Sequence, residues 1–399
     1  MQKSVRWTIA ATAAVALTTL GVPAPATAAP AEKAVLAAPG AEVVPDSYVV
    51  VLHEDRAAVA GQAKTLTSRH GGTVRQTYSH ALRGFAATMS AQQARRMAAD
   101  PAVAYVQADQ IHRASDTQTN PPSYGLDRID QRNRPLNQAY TYSTGAANVH
   151  AYVIDTGIRT SHQDFGGRAT SGFDAVDGGT ADDCHGHGTH VAGTVGGTAY
   201  GVAKSVQLVA VRVLNCQGSG STAQVVAGID WVTANAVKPA VANMSLGGGA
   251  DTALDNAVTR SIASGVSYSI AAGNGFLGLF ALDACTQSPA RVPTALTVSA
   301  VDNVDKKSSW ANRGTCVDVF APGIGITSAW ATNDTATSTI SGTSMAAPHV
   351  AGAAALYLAK NPTATAAQVH TAIVSGSTPN VVTSPGNGSP NRLLYTGGF

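Results

Sequence analysis

From residue 124 onward, short apolar segments alternate with segments of helical periodicity. Continuous apolar strands of this kind are typical of a sheet that is buried on both faces, and helices between them predict parallel strands. We therefore expect an α/β fold with a mostly parallel central sheet and helices on both faces, in which ligands bind beyond the carboxyl ends of the strands. The predicted strands are residues 150–155, 207–214, 241–246, 266–272, 295–301 and 317–320, and the predicted helices are residues 188–196, 222–237, 252–264, 344–359 and 366–374.

Residues 1–29 have the layout of a signal peptide. Lys3 and Arg6 precede an apolar run, and residues 26–28 form an A-x-A cleavage site. The alternative is a membrane anchor, but two threonines and a glycine interrupt the run. We therefore predict export to an extracellular location. No later segment has 18 uninterrupted apolar residues, so no membrane partner is expected.

Residues 30–115 are predicted to form a small α+β domain ahead of a larger domain at residues 116–399. Residues 30–44 are rich in alanine and proline and are interpreted as a linker, so the folded part begins near residue 44. The pattern that follows is of the β-α-β-β-α-β type, which is ferredoxin-like. Residues 116–123 are predicted to be an exposed linker. The predicted strands are residues 47–52, 84–89 and 103–107, and the predicted helices are residues 57–70 and 91–99.

Charge excludes two classes of function. A net charge of +2 over 399 residues provides no electrostatic footprint for nucleic acid. The three glutamates all lie within the first 54 residues, and from Asp116 onward all 17 carboxylates belong to aspartate. A mechanism that requires a glutamate base, such as that of the H-E-x-x-H zinc proteases, is therefore excluded in the larger domain.

Four cysteines lie in the larger domain, at positions 184, 216, 285 and 316. An even number of cysteines in an exported chain predicts two disulfides, and three pairings are open. No C-x-x-C motif is present, so a zinc ribbon is not supported.

Three short segments carry candidate catalytic residues. Asp155 ends a predicted strand in VIDTG, and His187 lies in HGHGTHVAG with a glycine on either side, which leaves room for a substrate chain. Ser344 lies in SGTSMAAPH at the start of an apolar helix, where the helix dipole and free N–H groups favour negative charge. Each also has a simpler interpretation: Asp155 as a turn cap, Ser344 as an N-cap, and His187 as a zinc ligand together with His185 and His190.

Taken together, the three residues predict a catalytic triad. A serine hydroxyl is a poor nucleophile until a histidine removes its proton, and that histidine needs a carboxylate to fix its tautomer. The chain order of aspartate, histidine and serine is that of subtilisins and differs from the order in chymotrypsin and the α/β-hydrolases. A non-enzymatic binding protein on this fold would lack one of the catalytic residues, whereas Asp155, His187 and Ser344 are all present.

The sequence resembles the subtilisin-like serine proteases, in particular the branch of proteinase K and aqualysin. The resemblance covers about residues 120–399 and rests on VIDTG, HGHGTHVAGT, NMSLGG, AAGN and SGTSMAAPHVAG, which stand in the family's order. Residues 44–115 resemble the family's inhibitor-type propeptide. The resemblance therefore implies a self-cleaving precursor, cut near Ser115, whose propeptide acts as an intramolecular chaperone and inhibitor.

The resemblance also implies a role for each site residue. Asp155 orients His187, His187 acts as general base and then acid, and Ser344 forms the acyl-enzyme. Asn274 is the oxyanion-hole donor, and the loss of such a donor costs about 10²–10³ in turnover. An extended substrate would lie between two backbone edges that carry no charge, which implies broad specificity with apolar or aromatic residues before the scissile bond. The edges are Gly218, Ser219 and Gly220 on one side and Ser245, Leu246, Gly247 and Gly248 on the other; these glycines alternatively only close turns.

Disulfides between Cys184 and Cys216 and between Cys285 and Cys316 are implied by the same resemblance. So is structural Ca²⁺, which prefers oxygen ligands. The alternative for the acidic residues is ordinary solvation, and Ala139 departs from the oxygen ligand expected in the second site. No catalytic cofactor is expected, and we expect a monomer. The implied calcium ligands are Asp318 with the backbone oxygens of Pro293 and Ala295 at one site, and Asp127, Asp130, Gln131 and Asn137 at the other.

One segment departs from the resemblance. After Asn274 comes GFLGLFAL, residues 275–282, where close relatives have a shorter polar loop. These apolar side chains either pack inward, which the sequence favours, or form an exposed patch that binds substrate or a partner.

Overall fold

The structure is a computed structural model that describes residues 31–37, 43–54, 58–111, 116–276 and 278–399. The predicted signal peptide at residues 1–29 and the predicted cleavage near Ser115 lie outside the described residues. The chain divides into two compact units, residues 1–111 and 112–399, which we describe separately. Within the described part of the chain, no helix has both the length and the apolarity needed to cross a bilayer.

The first unit contains a four-stranded antiparallel sheet and two helices in the predicted β-α-β-β-α-β order. The strand order is β2-β3-β1-β4. The edge strand β2 was not located by the sequence, because its side chains are mostly exposed and it lacks an apolar run. The elements are β1 (Val43–Leu52), α1 (Val59–His70), β2 (Thr73–Tyr78), β3 (Gly84–Thr88), α2 (Ala91–Ala98) and β4 (Val103–Gln110). The first residue of the predicted helix 57–70 lies outside the described residues.

The second unit is built on a nine-stranded sheet in the order β18-β19-β15-β14-β12-β10-β7-β9-β8. All neighbouring strands pair in parallel except β18 with β19, which confirms the predicted fold class. The sheet strands are β7 (His150–Asp155), β8 (Ala169–Asp174), β9 (Gln207–Arg212), β10 (Ala240–Met244), β12 (Ser267–Ala271), β14 (Leu296–Val301), β15 (Val319–Pro322), β18 (Thr378–Pro379) and β19 (Arg392–Leu393). The remaining strands form three small antiparallel pairs: β5 (Asp116–Thr119) with β6 (Ala139–Tyr142), β11 (Gly248–Gly249) with β13 (Gln287–Ser288), and β16 (Ile326–Ala329) with β17 (Thr337–Ile340).

Helices cover both faces of the central sheet. Successive residues of a strand point to opposite faces, so in β7 Ala151 and Val153 belong to one apolar core while Tyr152 and Ile154 belong to the other. The first core is closed by α4 and α7, and the second by α5 and α6. The helices of this unit are α3 (Tyr124–Ile129), α4 (His187–Gly196), α5 (Thr222–Asn235), α6 (Thr252–Ala263), α7 (Thr343–Lys360) and α8 (Ala366–Gly376).

Residues 116–119 are mostly exposed, as predicted, but they do not form a linker. Residues 116–119 form β5, which pairs with β6 from Asp116 opposite Tyr142 to Thr119 opposite Ala139. The polar sequence DTQT is compatible with a strand here because the pair lies at the surface and its side chains are mostly exposed.

Candidate active site

Four of the candidate residues lie at the ends of four neighbouring strands, at one edge of the sheet. Asp155 is the last residue of β7, and Ser245 follows β10 directly. Asn274 follows β12, and Gly218 follows β9 after a short turn. Because these strands are parallel and adjacent, their carboxyl ends lie side by side, as expected for a ligand site in this fold.

Asp155 and His187 form a hydrogen-bonded pair. His187 Nδ1 lies 2.7 Å from Asp155 Oδ1, and Asp155 is fully buried while the His187 side chain remains 19% exposed. An ionised carboxylate only accepts, so Nδ1 carries the proton and Nε2 is left as the basic atom. This is the tautomer that a general base of a triad requires.

The environment of His187 raises its pKa above the ordinary value. Burial by itself lowers the pKa of the imidazole, because it disfavours the charged ring. The charge of Asp155, its hydrogen bond and the charge of Asp183 act in the opposite direction and outweigh burial. The ring therefore accepts a proton more readily than a free histidine does, which suits a general base.

Asp183 is a positioning residue that the sequence did not identify. Its carboxylate accepts hydrogen bonds from the Thr156 hydroxyl and from the backbone N–H groups of His185 and Gly186, at 2.8–2.9 Å. It also accepts from both the backbone and the hydroxyl of Thr189, at 2.9 and 2.6 Å. These five bonds fix the start of α4, and with it His187. The available signal was an aspartate shortly before a helix start, which is typical of capping.

The glycines beside His187 are required by the protein's own packing, and room for a substrate chain beside them stays a prediction. A Cβ atom on Gly186 would lie 2.4 Å from the ring of Trp330, and Gly186 has a φ of +105°. A Cβ atom on Gly188 would lie 2.1 Å from the carbonyl oxygen of Gly157. Both positions therefore require glycine for close approach within the domain.

The zinc alternative is not supported by the placement of the three histidines. His187 faces Asp155, whereas His190 is buried and its Nε2 lies 3.0 Å from the Ile326 carbonyl oxygen. Burial lowers the pKa of His190 to about 4, so it is a neutral core residue. Among the described residues, no group of three or more histidine, cysteine or acidic side chains is arranged to hold a metal.

Ser344 is held by Ser245 in two ways. Pro348 has no N–H, so the carbonyl of Ser344, four residues earlier in α7, lacks its helical donor. The Ser245 hydroxyl donates to that carbonyl at 2.7 Å, and Asn243 Nδ2 donates to the same hydroxyl at 2.9 Å. The Ser344 hydroxyl in turn donates to the Ser245 carbonyl at 3.1 Å. The backbone that carries the candidate nucleophile is therefore fixed from β10.

Ser344 and His187 face a common cleft without a direct bond. In the described structure, the Ser344 hydroxyl donates its hydrogen bond to the carbonyl oxygen of Ser245 and not to His187. The two line adjoining cavities that share residues 245–248 as a wall. The Ser344 hydroxyl must therefore rotate towards His187 before it can transfer its proton; catalytic hydrogen bonds are often long or poorly aligned before substrate binds.

The orientation of Asn274 is fixed by Thr343. The backbone N–H and the hydroxyl of Thr343 donate to Asn274 Oδ1 at 2.9 and 2.8 Å. Since a backbone N–H only donates, the atom that it meets is the amide oxygen, and Nδ2 is directed to the other side. A Cβ atom built on Gly342 would lie 3.5 Å from both Nδ2 and the Ser344 nitrogen. The Asn274 amide nitrogen and the Ser344 backbone nitrogen therefore both lie close to Gly342, beside the candidate nucleophile.

The two cavities have different walls. The smaller, of about 260 Å³, contains Ser344 and Asn274 and has no charged residue in its lining. The larger, of about 550 Å³, lies between residues 218–220 and 245–249, so the two predicted edges face each other across it. A cavity of about 150 Å³ already holds a benzene ring, so the smaller cavity has room for an aromatic side chain.

Two disulfides with the pairing implied by the resemblance are present, Cys184–Cys216 and Cys285–Cys316. The first joins the segment before His187 to the segment before Gly218, so it links two parts of the larger cavity. A closed loop of this length stabilises the fold by about 3–4 kcal/mol in the chain-entropy account.

The two predicted calcium-ligand sets differ in their free oxygens. Asp130 Oδ1 and Gln131 Oε1 are buried without a hydrogen-bond partner among the described residues. Both oxygens of Asp127 accept backbone N–H groups, from Asn137 at 3.1 Å and Gln138 at 2.9 Å. Asp318 accepts from the Thr297 N–H at 2.8 Å, and its other oxygen lies 3.4 Å from His370. The unpartnered oxygens of Asp130 and Gln131 are of the kind that a hard cation such as Ca²⁺ binds.

The large side chains that the structure describes at positions 276, 279 and 280 of the apolar segment do not pack inward, so the favoured prediction is wrong for them. Phe276, Leu279 and Phe280 are 61%, 60% and 70% exposed. At Gly275 the backbone packs closely against other main chain, since a Cβ atom there would lie 2.1 Å from the Phe280 carbonyl oxygen and 2.9 Å from that of Trp310.

Comparison with known proteins identifies related sequences. The model of the subtilase family matches residues 147–393, and that of the peptidase inhibitor I9 family matches residues 47–115. The chain is 52% identical to an extracellular serine proteinase of Thermus sp. (strain Rt41A), over 93% of this chain and 94% of that protein. It is 47% identical to alkaline serine exoprotease A of Vibrio alginolyticus, over 90% and 69% of the two chains. The crystal structure of a cold adapted subtilisin-like serine proteinase matches with a TM-score of 0.66 and 54% identity, covering 68% of this chain and 97% of that one.

Proposed function

The chain belongs to the subtilase family of serine endopeptidases, and we propose that Asp155, His187 and Ser344 carry its hydrolysis of peptide bonds. The observation that carries this proposal is the 2.7 Å bond between Asp155 and His187 at the cleft that also contains Ser344. The Ser344 Oγ attacks the scissile carbonyl while His187 Nε2 takes its proton, and Asp155 stabilises the charged imidazole.

The oxyanion is held by Asn274 Nδ2 and the Ser344 backbone N–H. As the tetrahedral intermediate collapses, His187 gives its proton to the leaving amine and an acyl-Ser344 remains. A water molecule then attacks the acyl-Ser344, with His187 again taking the proton, and Ser344 and the acid product are released. The positions of Thr343, Ser245 and Asp183 support this assignment, because each holds a reacting group in place before substrate arrives.

We assign apolar or aromatic specificity to the residue before the scissile bond. The uncharged lining of the smaller cavity supports this, because an ionised side chain would be desolvated there without a partner. Residues 218–220 and 245–248 would pair with the flanking substrate backbone as an added strand.

The test uses tetrapeptide anilides that differ only in the residue before the cleaved bond. We expect kcat/KM with phenylalanine at that position to exceed kcat/KM with glutamate by more than about 10²-fold, because burial of an unpaired carboxylate costs several kcal/mol. A lysine peptide controls for the sign of the charge. Equal rates on the phenylalanine and glutamate peptides would contradict the assignment.

The precursor organisation is also part of the proposal. Residues 1–29 act as a signal for secretion, residues 30–115 as a propeptide that assists folding and inhibits the enzyme, and residues 116–399 as the peptidase domain. The I9 match at residues 47–115 and an extracellular relative support this division. A modest charge difference supports it too, since residues 30–115 carry a formal charge of +2 and residues 116–399 carry −2. The mature enzyme would act as a monomer.

Calcium is proposed as a structural ligand. Asp127, Asp130, Gln131 and Asn137 would hold one ion, and Asp318 with the carbonyl oxygens of Pro293 and Ala295 would hold another. At an ion concentration of about 100 times Kd, one site stabilises a protein by about 2.7 kcal/mol. For a unit of this size, EGTA is therefore expected to lower Tm by roughly 5–10 °C, and Asp130→Asn to remove part of that shift. An identical Tm with Ca²⁺ and with EGTA would refute the proposal.

A further inference from the structure

The exposed apolar side chains of the second unit are concentrated in one place. Phe280, Phe276 and Leu279 are the three most exposed large hydrophobic residues that the structure describes, and they lie within five consecutive positions. The other exposed large hydrophobic residues of this unit, Val237 and Val304, are single. Scattered apolar residues are ordinary, but a contiguous patch marks an interaction surface.

The patch lies on a hairpin that runs from Gly275 to Leu282, of which the structure describes residues 275, 276 and 278–282, and we call it the apolar hairpin. The Phe276 N–H donates to the Phe280 carbonyl at 2.9 Å, and the Leu279 N–H to the Phe276 carbonyl at 3.0 Å. At the base, the Leu282 N–H donates to Asn312 Oδ1 at 2.8 Å, and the Leu282 carbonyl accepts from the Arg313 N–H at 3.1 Å. The exposed side chains therefore sit on a backbone that is already fixed.

The apolar hairpin continues the wall of the candidate cleft. Asn274 and Gly275 line the smaller cavity together with Ser344, and Phe276 is the next residue, about 3.8 Å further along the chain by Cα separation. No charged residue occurs in residues 275–282. An extended polypeptide that occupies the cleft therefore comes within reach of an uncharged, aromatic surface.

We propose that the apolar hairpin is an auxiliary binding surface for apolar segments of unfolded protein substrates. The inference rests on the proposed function, because the occupant is the same chain whose scissile bond lies at Ser344. A second contact on one chain raises the effective concentration of that chain at the cleft. Unfolded proteins carry such segments on both sides of the scissile bond, whereas a tetrapeptide anilide carries no polypeptide beyond the bond that is cleaved.

The experiment compares Phe276→Ser/Phe280→Ser with Val237→Ser/Val304→Ser, which removes the two single exposed residues. Each purified full-chain product is assayed on a tetrapeptide anilide and on reduced, carboxymethylated lysozyme as the unfolded protein. For the hairpin variant, we expect KM on the unfolded protein to rise about tenfold, equivalent to about 1.4 kcal/mol, with kcat changed less than about twofold. The kcat/KM of the hairpin variant on the anilide should match that of wild type. The valine variant should match wild type on both the anilide and the unfolded protein.

An unchanged KM on the unfolded protein, or an equal rise in the valine variant, would overturn the inference. So would a wild-type dimer in sedimentation that the hairpin variant abolishes, or wild-type binding to phosphatidylcholine vesicles that the variant loses, since another occupant would then cover the patch. If the double variant loses anilide activity, Leu279→Ser replaces it. A wild type that does not hydrolyse the anilide contradicts the proposed function itself, which is a separate result.

Discussion

Asp155→Asn is expected to lower kcat on a peptide substrate by about 10⁴ near neutral pH, with the fold retained. Asp155 is fully buried and accepts the Nδ1 proton of His187 at 2.7 Å. Asparagine has nearly the same shape but lacks the charge that stabilises the imidazolium, and its amide permits the wrong tautomer. Proton transfer from Ser344 is then lost although every backbone position is kept.

The pH profile gives this variant a second readout. The neutral form of His187 is the active one, so activity falls as pH drops through its pKa, which lies above the ordinary value of about 6.5. Burial lowers that pKa, and Asp155 is the largest contribution that raises it. The acid limb of kcat/KM should therefore move to lower pH in Asp155→Asn. Asp230→Asn, the same change at an exposed site on α5, should leave rate and limb unchanged. A wild-type kcat for Asp155→Asn, or an acid limb of kcat/KM at the wild-type pH, would contradict the role of Asp155.

The strands that build the site were predictable because they are buried on both faces. In β7, β9, β10 and β12 almost every side chain is buried, so their sequences are rich in apolar residues, with only small or single polar residues between them. The edge strand β8 was missed because it pairs only with β9 and is half exposed, so its sequence ATSGFD has few apolar residues. Local pattern thus locates interior strands and fails at the sheet's edge.

The supporting residues of the site depend on contacts between distant segments. The missing N–H of Pro348 is visible in the sequence, but its consequence, a bond from Ser245 across 99 residues, is not. The five donors around Asp183 likewise come from two separate segments. For the apolar hairpin, hydrophobic composition predicted burial, whereas Phe276, Leu279 and Phe280 are exposed.

Ser344→Ala is expected to reduce peptide hydrolysis by roughly 10⁶, a loss of the size seen when the nucleophile of such a triad is removed. Without Oγ no acyl-enzyme forms, and the remaining oxyanion donors act only on attack by water. The matched control is Ser341→Ala, which removes an exposed hydroxyl three residues away and should retain full activity. Thermal unfolding should show both variants folded.

The most direct test of the proposed triad is the chain length of the purified Ser344→Ala protein, measured by mass spectrometry. We predict that wild type and Ser341→Ala are cut near Ser115, whereas Ser344→Ala keeps residues 30–115 joined to the peptidase domain. Addition of a trace of wild type should then cut the variant, which would show that the junction is accessible. A Ser344→Ala protein that releases its own amino-terminal segment, or hydrolyses the peptide at the wild-type rate, would contradict the assignment of Ser344 as nucleophile.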